Sequence, residues 1–150
     1  MTYATVEQLR GYAGARGYAL PDADAECARL LTLGHDWLEL QEWAGSRTDA
    51  DQVNEWPRTG AYVDGRYLPS DSVPKRVIDA ECQLAVDSMS FDLLPTGEGR
   101  EVVKERVEGI IDLEYATNGS GAVVPEPTKA KALIRPLLAS GGMTLRVCRA

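Results

Sequence analysis

The stretch EWPRTGAYVDGRYLPSDSVPKRVIDAECQLAVDSM, residues 55–89, decides the fold, because it carries two unlike kinds of periodicity in direct succession. Its first half alternates: Tyr62 and Val63 stand before Asp64-Gly65, and Arg66 and Tyr67 after it. Asp-Gly supplies the positive backbone angles of a two-residue hairpin turn, so this is a small surface hairpin. Its second half is helical. Ile78, Cys82, Ala85, Met89 and Leu93 recur at steps of three and four, widened by Val77, Leu84 and Val86. A stripe that wide predicts a helix packed on more than one side, at the centre of the domain. Pro69 and Pro74 bracket the junction, with Asp71 or Ser72 available as the cap.

Working outward towards the N-terminus, Thr5 and Gln8 have the spacing of a capping box, and Val6, Leu9 and Tyr12 or Ala13 follow at helical intervals. Gly14 and Gly17 end this first helix. Pro21 and the acids Asp22 and Asp24 open a second, in which Ala23, Cys27, Leu30, Leu31, Gly34 and Leu38 share a face. It is expected to run to Gly45, with Trp37 and Trp43 extending its packing surface. Residues 46–54 are polar, a loop or one more helical turn.

Towards the C-terminus, Pro95, Gly97 and Gly99 close the helical block. Residues 100–116 alternate around Glu108-Gly109 and predict a second hairpin. A linker, TNGSGAVVPEPT, then leads to a short helix with Leu133, Leu137 and Leu138 inward and Pro136 bending or shortening it. The end, MTLRVCRA, alternates as a strand would. The fold class is therefore mainly α with small β-hairpins, a compact helical core plus hairpin and extended C-terminal tail. One domain is expected, with residues 1–116 as its core and 117–150 as linker, short helix and basic docking tail.

A chain of 150 residues with 44% hydrophobic content suits one compact domain. No apolar run reaches the roughly 18 residues of a membrane span, and the N-terminus lacks a signal-peptide pattern, so a soluble protein without a membrane partner is expected. Cys27, Cys82 and Cys148 are widely spaced and His35 is the single histidine. That excludes a zinc pattern or a disulfide framework, and makes Cys27 and Cys82 small apolar residues on buried faces. His35 reads as structural or exposed. Net charge is −7, unevenly spread. Lys129, Lys131, Arg135, Arg146 and Arg149 face only Glu126 in the last segment, a local +4 that leaves −11 on the rest. An acidic body argues against tight phosphate binding.

Catalytic motifs are absent. Ser120 in NGSGA lacks the context of a nucleophile elbow or a phosphate loop, and the carboxylate pairs Asp22 with Asp24 and Asp49 with Asp51 have no second constellation beside them. No enzyme, cofactor or metal is expected. Trp56-Pro57-Arg58 has two readings: a loop anchor whose arginine bonds carbonyls or acids, or an interface, since Trp and Arg are enriched at binding hot spots. The structural reading stands ahead.

The same central stretch resembles the signature of small tailed-phage head-tail connector or adaptor proteins, a group often labelled "putative DnaT-like single-stranded DNA-binding protein". The matching positions are Trp56, Pro57, Arg58, Gly60, Leu68, Pro69, Val73, Pro74, Val77, Ala80 and Ala85. TYATVEQLRGYAGARG and VVKERVEGIIDLEYA extend the likeness on either side. The resemblance implies a structural subunit of a dodecameric ring in the virion neck, assembled in the host cytoplasm. Its partners would be its own copies, the portal protein, and a stopper or tail terminator, with double-stranded DNA passing through unbound. Interface residues would be Trp56, Pro57, Arg58, Tyr62, Arg66 and Tyr67, with Lys129, Lys131, Arg135, Arg146 and Arg149 in the docking tail. The alternative follows the group's label: a single-stranded DNA-binding module of replication, with Tyr62 and Tyr67 near Arg66 as its aromatic and basic elements.

Overall fold

The computed structural model describes residues 1–95 and 125–139. Within them the chain folds as α1 (Val6–Gly14), α2 (Asp24–Glu39), β1 (Ser46–Arg47), β2 (Arg58–Thr59), β3 (Tyr62–Val63), β4 (Arg66–Tyr67), α3 (Lys75–Asp87) and α4 (Thr128–Ile134), and a 3-10 turn at Arg135–Leu137 follows. The architecture is mainly α with two small antiparallel hairpins, β1 with β2 and β3 with β4. The second hairpin expected at 100–116, the terminal strand and Cys148 lie outside the described residues.

Local chemistry accounts for most of these boundaries. The capping box at α1 is complete: Thr5 accepts from the Gln8 N–H, and the Gln8 side chain accepts from the Thr5 N–H at 2.8 Å. The chain leaves α1 through Gly17, at φ +71°. Arg10 then ties α1 to the start of α2, donating to the Pro21 and Asp22 carbonyls and to Asp24.

Helix α2 is shorter than the sequence predicts, stopping at Glu39 rather than Gly45. Trp43 therefore leaves the helical surface. It is buried instead by a bridge to Leu138, and its indole N–H donates back to the Leu38 carbonyl at 3.1 Å, capping the helix end. Residues 46–54 form a loop rather than a helical turn, and its first two residues, Ser46 and Arg47, pair with Thr59 and Arg58 to close a small ladder at its base. Gly45 permits this closure at φ +76°, and a Cβ there would stand 2.4 Å from the Thr59 carbonyl.

Helix α3 is the centre, as its stripe predicts, packing on α1, α2 and α4. Its cap differs from expectation. Pro74 occupies the N-cap with no side-chain bond, and neither Asp71 nor Ser72 serves. Met89 falls beyond the helix and is 42% exposed. Two apolar clusters divide α3 between them: Val77, Ala80 and Leu84 join Trp37, Trp43, Trp56, Ile134 and Leu137, while Cys82 and Ala85 join Leu9, Tyr12, Cys27 and Leu30. At about 100° per residue, Glu81 lies between the two stripes, in the seam. Gly34 lets α2 cross there, with Glu81 O and Leu84 Cβ only 3.0 Å from where its Cβ would be.

In α4 the inward residues are Ala130 and Ile134, followed by Leu137, whereas Leu133 and Leu138 are only partly buried. Pro136 lies in the 3-10 turn just past Ile134, so of the two expectations it shortens the helix rather than bending it.

Candidate nucleic-acid interface

The Trp-Pro-Arg segment lies inside the fold. Trp56 is 2% exposed and meets Trp43 edge to face at 5.5 Å and 83°. The Trp56–Pro57 peptide is cis and Pro57 is half-buried. Arg58 is buried, donating through Nε to the Ala44 carbonyl at 2.9 Å and through Nη2 to the Gly45 carbonyl at 2.8 Å, and pairing with Glu55. Its bonds are those of a brace. The guanidinium satisfies carbonyls of the segment that links α2 to β1, and Glu55 neutralises it. Arg47 binds the same carboxylate from outside, and this bond holds the Glu55 carboxyl below its usual range.

A second buried polar group was not foreseen at all. Glu81 is fully buried, accepting from the Tyr3 N–H at 3.1 Å, from the Ala4 N–H, and meeting His35 Nδ1 at 2.9 Å. Burial pushes its carboxyl upward, and the two N–H donors and His35 oppose that shift. Tyr3 continues the chain of contacts, donating to Glu39 and accepting from the Trp56 N–H at 3.1 Å. His35, expected as structural or exposed, is thus structural. The sequence did carry a signal: Glu81 has apolar residues at both i±3 and i±4, namely Val77, Ile78, Leu84 and Ala85. Only a buried position is so surrounded. Both cysteines are buried as expected, and burial pushes the Cys82 thiol up to about 12, which leaves it unreactive. Among the described residues no cluster of His, Cys, Asp and Glu is arranged to hold a metal ion, and no helix is long and apolar enough to cross a membrane.

The hairpin β3–β4 is different, because its aromatic side chains point away from the protein. Asp64 at φ +51° and Gly65 at φ +83° form the primed turn that Asp-Gly predicts. Below it, the Leu68 N–H donates to the Ala61 carbonyl at 2.8 Å, and Ala61 is fully buried, so the hairpin is rooted in the core. Tyr62 and Tyr67 are direct cross-strand partners. Their rings meet at 5.0 Å and 64°, yet they remain 51% and 75% exposed. Val63 and Arg66 share the opposite face. Val63 packs into the core there, beside the 3-10 turn that begins with the exposed Arg135. Arg66 therefore flanks the tyrosine face from behind.

The remaining expected interface residues are dispersed. Lys131 pairs with Glu126 at 2.6 Å. Lys129 reaches Tyr18, 2.9 Å from its hydroxyl and 5.2 Å from its ring centroid. Arg146 and Arg149 lie outside the described residues.

The net charge of −7 is a sum that does not say where single cations stand free. Among the described residues Arg10, Arg29, Arg47, Lys75 and Lys131 are each matched to an acid, as are Asp24, Glu26, Glu55, Asp79 and Glu126. Arg16, Arg66, Arg76, Lys129 and Arg135 have no such partner among those residues, and neither do the acids Glu7, Asp22, Asp36, Glu42, Asp49, Asp51, Asp64, Asp71, Asp87 and Asp92, so the acidic balance persists while single cations stay free. Local charge, not the sum, is what a phosphate meets at about a Debye length.

Compared with known families, residues 2–150 match one family model, described as "Putative DnaT-like ssDNA binding protein". No curated protein and no solved structure matches. The match overturns the head-tail adaptor reading, since the family spanning the chain is described by single-strand binding, the alternative read from the sequence. The ring, portal, tail-side and virion expectations came with the adaptor reading, and the match lends them no support.

Proposed function

The chain belongs to the DnaT-like single-stranded-DNA-binding family, and from that premise we propose that it binds single-stranded DNA without catalysis, using the β3–β4 hairpin as a stacking platform. The observation that carries the reading is the exposed Tyr62–Tyr67 pair on a hairpin rooted in the core. Every base has a π-face, so tyrosine rings held in the open bind bases with little regard to sequence, at about 1–3 kcal/mol per stacked base. Arg66, next to the turn on the hairpin's other face, and Arg135 beside β3 supply positive charge behind the tyrosines for the backbone that carries those bases. The turn geometry fixes the ring positions before binding, so little ordering entropy is lost on contact.

Duplex DNA does not present its base faces, so the platform discriminates by strandedness. The test is a fluorescence-anisotropy titration of labelled oligothymidine and of a duplex of equal length, at about 50 and 200 mM salt. Tighter binding of the single strand, weakened by salt, is expected. Equal affinity for both forms would remove stacking as the basis of recognition.

A further inference from the structure

A second cluster of aromatic and cationic side chains stands at the other end of α4. Arg16 lies over the Tyr12 ring, its guanidinium carbon 3.6 Å from the centroid, and donates to the Tyr12 carbonyl at 3.1 Å. Lys129 meets Tyr18 at the hydroxyl end of its ring, Nζ 2.9 Å from the oxygen and 5.2 Å from the centroid. These two cation–aromatic pairs adjoin the mouth of a groove of about 450 Å³ between α1 and α3, lined by Gly11, Tyr12, Arg16, Lys75, Ile78 and Asp79 among others. Asp79 is matched to Lys75 at 2.7 Å, which leaves Arg16 as the groove's unneutralised charge and Lys129 as its neighbour. At Gly11 nothing lies within 4 Å of a notional side chain, so the helix backbone is open to the groove.

This cluster differs from the hairpin in what it offers. Tyr12 is 7% exposed and its ring is covered by a cation, so it has no face left for a base. What remains accessible is positive charge on side chains preset by cation–π contact, which suits a phosphate.

We propose that the Arg16–Lys129 cluster and the α1–α3 groove bind phosphate groups of the same single strand whose bases stack on the hairpin. The inference rests on the single-strand reading and adds to it a path. Helix α4 joins the two places: Lys129 is near its start, Arg135 follows its end, and about 9 Å of axis separates them. Thr128, Lys129, Ala132 and Arg135 are exposed along it, with no acid between Thr128 and Leu137.

The test compares wild type with the R16Q/K129Q double variant, using oligothymidine of about fifteen nucleotides over a salt series, with thermal melts to verify folding. Both positions are exposed, so the variant is expected to melt as wild type does. Affinity for the long strand should fall about tenfold and the slope of log K against log salt should shrink by about 1.4, two phosphate contacts' worth. An unchanged slope, with wild type binding normally, overturns the phosphate site and leaves the hairpin reading intact. Wild type failing to bind overturns both. Thymidine monophosphate, titrated separately, distinguishes the source of the phosphate. Binding as tight as that of the strand would make the groove a free-nucleotide pocket and overturn the strand path.

Discussion

The molecule holds two edge-to-face aromatic pairs of similar geometry and opposite circumstance. Trp43 and Trp56 meet at 5.5 Å and are 5% and 2% exposed; Tyr62 and Tyr67 meet at 5.0 Å and are 51% and 75% exposed. The tryptophan pair sits where α2 ends, enclosed by Leu38, Val77 and Leu137 and braced by Arg58. The tyrosine pair has the same quadrupolar preference for its geometry but almost no enclosure. An aromatic pair that only stabilised the fold would gain by burial at about 25 cal/mol per Å², and this one forgoes most of that gain. Local ring geometry is therefore silent about role, and exposure separates the anchor from the platform.

The largest effect that would break this comparison is at Trp56. Trp56→Ala should cost about 3–5 kcal/mol in chemical denaturation, as a core truncation does. Trp56→Phe should cost clearly less, because the indole N–H is buried without a hydrogen-bond partner among the described residues and its removal relieves a desolvation penalty. A loss under about 1 kcal/mol for the alanine variant would mean that Trp56 is no anchor.

Next in size is Glu81. Glu81→Ala leaves the Tyr3 and Ala4 N–H groups and His35 without their shared acceptor, and should destabilise by about 3 kcal/mol. Its pH dependence has a definite sign. Burial raises the folded-state pKa above the unfolded value, so this group's contribution is full at low pH and declines as pH rises through the raised value. Relative to Glu81→Gln, wild type should lose stability as pH rises above about 4, the ordinary carboxylate range. Paired urea melts across that range check it, and a difference that grows the other way would show that the ion pair with His35 outweighs burial.

Smaller still is the stability effect at the platform. Tyr62→Ala with Tyr67→Ala should change unfolding free energy by no more than about 1 kcal/mol, the worth of one cross-strand pair, while weakening oligothymidine binding at least tenfold. A stability loss matching that of Trp56→Ala would merge the two pairs into one class. Smallest is Arg29→Ala on α2, which breaks an exposed ion pair with Glu26 and should move neither stability nor affinity by more than about 0.5 kcal/mol.

Much of the fold was legible because local chemistry determines it. Thr5 and Gln8 form their capping box, Asp64-Gly65 its turn, and the width of the α3 stripe places that helix at the centre. What was illegible depends on partners distant in sequence. Trp43 continues the α2 spacing but is claimed by Leu138, and residues 46–47 pair with a strand eleven or more positions away. In α4 the apparent leucine stripe gave way to Ala130, Ile134 and Leu137, a periodicity visible only if the small alanine counts as apolar. The platform itself was half legible. Asp64-Gly65 and its strand-favouring flanks placed Tyr62 and Tyr67 on a surface hairpin, but only the strand register pairs them on one face, and net charge weighed against a nucleic-acid partner.

The most direct test of the platform is photo-crosslinking of wild type to oligonucleotides carrying 5-iododeoxyuridine, with the linked peptides identified by mass spectrometry. The account predicts attachment at Tyr62 or Tyr67, lost on competition with unlabelled single strand and retained against duplex. Attachment confined to other segments, with both tyrosines unmodified, would contradict it.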